Sequence, residues 1–426
     1  MPSLLRQIEN IQDVVDWDLC TGCGACFSHC ERGAVTLINI GSVGIRPRFD
    51  SETCQNCTRC LAVCPGYKLE LPVPAETKRA PDLGAEEFGE TLEIWEGHAT
   101  DPEIRFRASS GGIISALALY CLERENMQFI LHSTASPDEP WVNRTVVSSS
   151  RDEILARAGS RYAPASPCDG IRQIEESEGT CVFVGKPCDV AAVSLLRRER
   201  KQLDERLGLV LTFFCAGTPS SEGSTNLVRS LAIDPASVAS VRYRGEGWPG
   251  EFRVFSETGA AQASLSYQES WRQLTSYRPL RCNLCPDGLG RFADIACGDA
   301  WHKFSGTDRD TGRSLVLVRS ARGREILRRA REAGYVRLVP AGADAVFAAQ
   351  GSLLARRREL FGRIVALRML RIPAPRFAHF SLFRSWIKLP ALRKIQTVTG
   401  TLGRAWTRGW RARRPLRVPS SGCRPA

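Results

Sequence analysis

The sequence predicts a chain of mixed α+β and α/β class in three parts: a small cysteine-rich N-terminal domain, a mixed α/β core, and a basic tail that is helical or disordered. Three observations predict it. Four cysteines spaced C-x2-C-x2-C-x3-C occur twice before residue 65. Two strand–loop–helix patterns follow one another from residue 181 onward. Basic residues crowd into the end of the chain. With 426 residues, 43% hydrophobic and 24% charged, the composition is that of a globular protein of two or three domains.

The first part spans residues 1–70. Residues 20–30 place Cys20, Cys23, Cys26 and Cys30, and residues 54–64 repeat the spacing with Cys54, Cys57, Cys60 and Cys64, followed by Pro65. Three thiolates on one tight loop reach three irons of a cubane, while the fourth has left the loop and points to a neighbouring cluster. The expected ligand sets are therefore crossed. One 4Fe-4S cluster takes Cys20, Cys23, Cys26 and Cys64, and the other takes Cys54, Cys57, Cys60 and Cys30. Gly22 and Gly24 let backbone N–H groups approach the sulfurs. Glu31 stands where a proline usually follows such a run. A pair of zinc sites would also use CxxC pairs, but has no use for the third cysteine in each half. Residues 35–40 and 44–48 read as the short paired strands of a ferredoxin-like fold.

Residues 71–98, with Pro72, Pro74 and Pro81, read as a linker without chemistry of its own. The core is expected over residues 99–350. Ser109, Ser110, Gly111 and Gly112 open a helix carrying Ile113, Ile114, Leu117, Tyr120 and Cys121 at helical spacing. Such a turn suits a phosphate, although a plain capped helix is the simpler reading. The strand at residues 181–184 ends in Gly185, Lys186, Pro187 and Cys188, and that at 209–214 ends at Cys215. Parallel sheets bind ligands at strand carboxyl ends, which is where both cysteines fall. With Cys282 and Cys285 they could supply four thiolates to a third cubane; a zinc site or free thiols stay open on spacing alone.

These segments together resemble the beta-subunit family of coenzyme F420 hydrogenases and dehydrogenases. The matching stretches are residues 109–117, 159–162, 184–188, 214–215, 243–250 and 281–299, in order across about residues 100 to 340. The resemblance implies an FAD in the core and a 4Fe-4S cluster on Cys188, Cys215, Cys282 and Cys285. Cys297 is left out as a ligand and read as a core residue. For the FAD, the resemblance places Ser110, Gly111 and Gly112 at the diphosphate through their N–H groups. Ser160, Arg161 and Tyr162 fall at the phosphates or ring, and Lys186 between flavin and cluster. A surface arginine, a core tyrosine and a solvated lysine are the plain alternatives. Trp248 either closes over the flavin or anchors a turn.

The expected function is an iron–sulfur flavoprotein oxidoreductase. Electrons pass from ferredoxin or a partner redox subunit through the clusters to FAD, and on to a small-molecule two-electron acceptor, deazaflavin-like or another. The alternative is a non-catalytic electron-transfer subunit of a larger redox complex. No catalytic residue is assigned: His29, His98, His132, His302 and His379 are scattered, and only His302 lies near a family motif. The longest uncharged stretches, residues 108–122 and 207–221, are too short to span a bilayer. Glu9, Asp13 and Asp16 interrupt any apolar leader near the start, so a cytoplasmic location is expected.

From residue 351 to 426, 18 Lys and Arg face one acid, Glu359, while the rest of the chain carries 40 basic and 45 acidic residues. The body is thus mildly acidic, and a net charge of +12 does not argue for nucleic-acid binding. Phe380, Leu382, Phe383, Trp386, Ile387 and Leu389 read as a docked helix followed by a solvated end. A basic amphipathic helix on a membrane surface is the second reading. Cys423 reads as a loose terminal thiol.

Overall fold

A computed structural model describes residues 8–72, 84–304 and 311–415. Pro74, Pro81 and Cys423 lie outside them. In the N-terminal module, Asn10 caps the helix Ile11–Asp16, reciprocated by Asp13. The alternating run β1 (Val35–Ile40) pairs antiparallel with β2 (Gly44–Phe49), as expected. The short β3 (Lys68–Glu70) closes the module.

The core sheet takes β4 (Glu93–Ala99), β5 (Ile130–Ala135), β6 (Asn143–Ser148), β7 (Cys181–Gly185) and β8 (Leu207–Phe213). A separate antiparallel sheet of β9 (Ser240–Arg242), β10 (Glu251–Phe255) and β11 (Ala261–Ser266) follows. The core sheet is completed by β12 (Ile295–Asp299), β13 (Ser314–Val318) and β14 (Val336–Pro340). Its order is β14-β4-β13-β12-β8-β7-β5-β6. The central run β12, β8, β7 and β5 is parallel, and the flanking pairs are antiparallel. Strands β7 and β8 are near-continuous apolar runs because both faces of a parallel sheet are covered. The helices Ile113–Arg124 and Pro187–Glu199 supply part of that cover.

Two expectations need correction. The predicted linker ends early: its last residues form β4, an interior strand hydrogen-bonded to β13 and β14. A Cβ at Gly97 would lie 1.9 Å from the Arg337 carbonyl oxygen, so this glycine permits close strand packing rather than breaking structure. Upstream, Arg319 and Arg291 clamp the carbonyls of Phe88, Glu86, Glu87 and Glu90, and Phe88 is buried.

The tail is the second. Helices Gly351–Arg358 and Leu360–Met369 lead into β15 (Arg376–Ala378), which pairs parallel with β3 of the N-terminal module. Leu360, Ile364, Leu367, Phe380, Leu382, Ala405 and Trp410 share one buried core with Val14, Leu19, Leu61 and Leu69. Helices Leu382–Ile387 and Ala391–Thr407 follow, and Arg413 reaches Asp13 and Asp16 at 2.8 and 2.7 Å. The tail is thus part of the N-terminal module's core. Charge density in the sequence hid an apolar helical period.

Candidate electron-transfer site

The first cysteine loop is shaped by two left-handed glycines, Gly22 (φ 71°) and Gly24 (φ 86°). The Gly22 N–H donates to Cys20 Sγ at 3.4 Å. A Cβ at Gly24 would sit 2.8 Å from the Ser166 carbonyl oxygen, so glycine is needed where the loop meets the core. The thiols fall into two groups. Burial, then Cys57, Cys54 and Cys30, pushes Cys60 up to about 11. Burial, then Cys20 and Cys23, pushes Cys64 upward. Cys64 shares a buried core with Cys20 and Cys26 of the first loop, and Cys30 and Cys60 pack against that core. Glu31 pairs with Arg59 at 2.8 Å, tying the two loops where proline was expected. Cys57 is exposed, while Cys20, Cys23, Cys26 and Cys64 are buried.

Cys188 follows β7 at the start of helix Pro187–Glu199, and Cys215 follows β8. Cys282 lies on helix Leu280–Asn283, with Cys285 just beyond it. All four line one cavity of about 50 Å³, and Cys20 of the N-terminal module lines it too. Burial, then Cys282 and Cys285, pushes the Cys215 thiol up to about 12. Among the described residues no three His, Cys, Asp or Glu side chains converge as one bound ion requires. Arg281 and Arg356 border the same space; Arg356 donates to the Cys215 and Ala216 carbonyls at 2.8 and 2.7 Å.

A second, larger cavity of about 370 Å³ opens at the carboxyl ends of β7, β8 and β12. Ser110, Gly112, Ser160, Arg161, Tyr162 and Lys186 line it. The first turn of helix Ile113–Arg124 lines it as well, and no side chain caps that helix. Its N–H groups and dipole suit a diphosphate. Gly111 does not line the cavity: its N–H donates to Ser314 Oγ at 2.9 Å and its carbonyl accepts from the Ala99 N–H at 2.7 Å. It is a packing glycine and not a phosphate ligand. The Arg161 guanidinium is likewise engaged, donating to Asn143 Oδ1, the Val241 carbonyl and the Pro140 carbonyl. Its structural role competes with the phosphate contact expected of it. Ser160 donates its N–H to Ser109 Oγ at 2.6 Å. Tyr162 packs on Trp271 at 4.8 Å and Tyr243 at 5.8 Å.

Sequence reading missed the most constrained group in this wall. Arg244 forms a two-point ion pair with Asp299, at 2.8 and 2.9 Å. Its guanidinium lies over the rings of Tyr267 (4.6 Å) and Trp301 (5.2 Å), which stack 5.3 Å apart. Both charged residues stood in quoted motifs, but nothing in spacing said that they meet. Trp248 anchors the turn: its Nε1–H donates to Asp299 at 2.8 Å and it stacks on Trp301. His302 pairs with Glu96 at 3.1 Å and is absent from the cavity wall. His132 does line it, bonded to Ser148 Oγ at 2.7 Å; burial, then Arg157, lowers its pKa to about 4. Cys297 lines this larger cavity and not the smaller one.

The two cavities share a wall. Ala165, Lys186, Cys215, Gly217 and Thr218 border both. Lys186 Nζ donates to the Ala165 carbonyl at 2.9 Å and pairs with Asp189 at 2.8 Å. Burial works against its charge, yet Asp189 and the thiols of Cys188 and Cys215 outweigh that and raise its pKa.

Residues 19–66 match a 4Fe-4S dicluster domain. Residues 94–171 and 179–344 match the N-terminal and C-terminal parts of the coenzyme F420 hydrogenase/dehydrogenase beta subunit. The chain is 26% identical over 305 residues to coenzyme F420 hydrogenase subunit beta of Methanococcus voltae, covering 68% of this chain and 99% of that one. It is 26% identical over 249 residues to F420-dependent formate dehydrogenase 1 subunit beta of Methanococcus maripaludis, covering 58% and 61%. A chain of the F420-reducing [NiFe] hydrogenase complex from Methanosarcina barkeri overlays with a TM-score of 0.49 at 22% identity, covering 67% of this chain and 96% of that one. This chain belongs to the coenzyme F420 hydrogenase/dehydrogenase beta-subunit family, and is an iron–sulfur oxidoreductase subunit with an N-terminal 4Fe-4S dicluster domain.

Proposed function

We propose that this chain takes electrons from a ferredoxin or a partner redox subunit and delivers them to a two-electron organic acceptor, deazaflavin-like or another. A third 4Fe-4S cluster on Cys188, Cys215, Cys282 and Cys285 and an FAD in the larger cavity complete the apparatus. The observation that carries this reading is the shared wall: Cys20, the four core cysteines and the larger cavity form one series through Lys186 and Cys215. When bound, clusters carry single electrons and a flavin exchanges them singly or in pairs, which matches one-electron donors to two-electron acceptors.

The chain's own residues prepare each end. The exposed Cys57 loop offers the outer cluster position to a donor. Lys186 holds a positive charge at the wall between the cavities, where it would favour a reduced, anionic flavin ring. Helix Ile113–Arg124 presents its N-terminus to a diphosphate. The stack of Arg244, Tyr267 and Trp301 makes a flat, water-excluding wall for a planar ligand.

The test is turnover with reduced ferredoxin and reconstituted full-length chain alone. Reduction of coenzyme F420, or of another two-electron acceptor, without any partner supports the reading. Reduced clusters that pass electrons only to a partner enzyme would make the chain a relay.

A further inference from the structure

Helix Ala391–Thr407 turns its less apolar side toward the protein. The face against the fold carries Thr397, Thr401 and Ala405, all buried. The hydroxyls are satisfied locally: Thr397 Oγ1 donates to the Lys394 carbonyl and accepts from Trp386 Nε1, and Thr401 Oγ1 donates to the Thr397 carbonyl. The outward face carries Leu392, Ile395 and Trp406, which are 65%, 59% and 71% exposed. These three share one side of the helix. On the preceding helix, Leu382–Ile387, Phe383 and Ile387 are also exposed, and Lys394 Nζ reaches the Ile387 carbonyl at 3.2 Å, tying the two together. Globular surfaces rarely gather large apolar side chains into one patch unless something covers them.

The surroundings say what covers this one. Arg411 lies 4.4 Å over the Trp406 ring, Arg384 and Lys388 are exposed on the helix that carries Phe383 and Ile387, and Arg393, Arg404 and Arg408 are exposed on another flank of helix Ala391–Thr407. Among the described residues, Arg384 and Lys388 share Glu86, and Arg393 takes Glu359. A second copy of the chain would set one strongly basic surface against another. A nucleic acid would use the charges and leave Leu392 and Ile395 without a partner. Apolar residues and tryptophan in a row, with basic groups at the border, match an interface of acyl chains beneath anionic headgroups. None of the described helices is long and apolar enough to cross a membrane.

We propose that helices Leu382–Ile387 and Ala391–Thr407 dock this protein on the surface of an anionic phospholipid bilayer, lying in the plane of the interface. This inference does not depend on the flavin reading. The experiment is flotation of the full-length chain with vesicles of phosphatidylcholine containing about a third phosphatidylglycerol, compared with phosphatidylcholine alone. The expected result is binding to the anionic vesicles only, weakened by salt well above about 0.15 M. The exposed-face variant Leu392→Ser/Ile395→Ser/Trp406→Ser should bind at least about tenfold less while keeping the wild-type iron content and circular dichroism. Absence of flotation at low salt overturns the proposal, as does undiminished flotation of the triple variant. So does a dimer in lipid-free buffer that the triple variant abolishes.

Discussion

At the level of single residues, the site depends on charges held where water cannot reach them. Replacing Asp299 by Asn would leave Arg244 buried and unpaired beneath Trp301 and Tyr267. The expected cost is about 3–5 kcal/mol, read from urea unfolding of the variant against the parent. Lys186→Gln should leave the iron content unchanged, because Lys186 is no ligand, but should lower the potential of the bound flavin by roughly 30–60 mV, one to two decades in its two-electron equilibrium. Spectroelectrochemistry checks this, and an unchanged potential would mean that the ammonium serves only the ion pair with Asp189. His132 predicts a pH signature. Its folded pKa, about 4, lies below the unfolded value near 6.5, so the unfolded chain binds the extra proton between those limits. Its contribution to stability is therefore lost as pH falls from 6.5 toward 4, at up to about 1.4 kcal/mol per pH unit. His132→Asn should flatten that part of the stability profile relative to the parent.

Among the elements, close backbone approach and shared cores decide which segments matter. Gly24 joins the first cysteine loop to the core, and any side chain there meets the Ser166 carbonyl. Gly24→Ala should cost about four iron per chain by disturbing the Cys20, Cys23 and Cys26 loop, measurable by iron analysis after reconstitution. The pairing of β15 with β3 makes an equally definite prediction. Truncation after residue 375 removes Phe380, Leu382 and Trp410 from the core around Leu19 and Leu61, and should lose the N-terminal clusters although no ligand is deleted.

The elements also separate what sequence could reveal from what it could not. Cysteine spacing, the β1–β2 hairpin and the parallel pair β7–β8 were readable because each is a local pattern. Strand β4 was not: Gly97 and the acidic residues beside it resemble a linker, and only pairing with β13 and β14 makes it interior. In the tail the docked helix at Leu382–Ile387 was readable but the extent of its packing was not, since arginines dominated the composition while Leu360, Ile364 and Leu367 carried the core. Gly111 and Arg161 looked like ligands in a family motif, but their donors are taken by Ser314 and by backbone carbonyls. The pair Arg244–Asp299 joins two motifs far apart in the chain, and no local pattern announces such a meeting.

Across the molecule, the fold brings the first N-terminal cysteine loop, the core cysteines and a large cavity into one series. The cavity of about 50 Å³ is bordered by Cys20 from one module and by Cys188, Cys215, Cys282 and Cys285 from the other. It shares Lys186 and Cys215 with the cavity of about 370 Å³. The electron path proposed for this chain rests on that alignment. Iron, acid-labile sulfide and flavin per chain after anaerobic reconstitution, in parent and Cys215→Ser, test it. The parent should hold about twelve iron and one FAD, and the variant about four iron fewer. About eight iron in both, without flavin, would contradict the alignment.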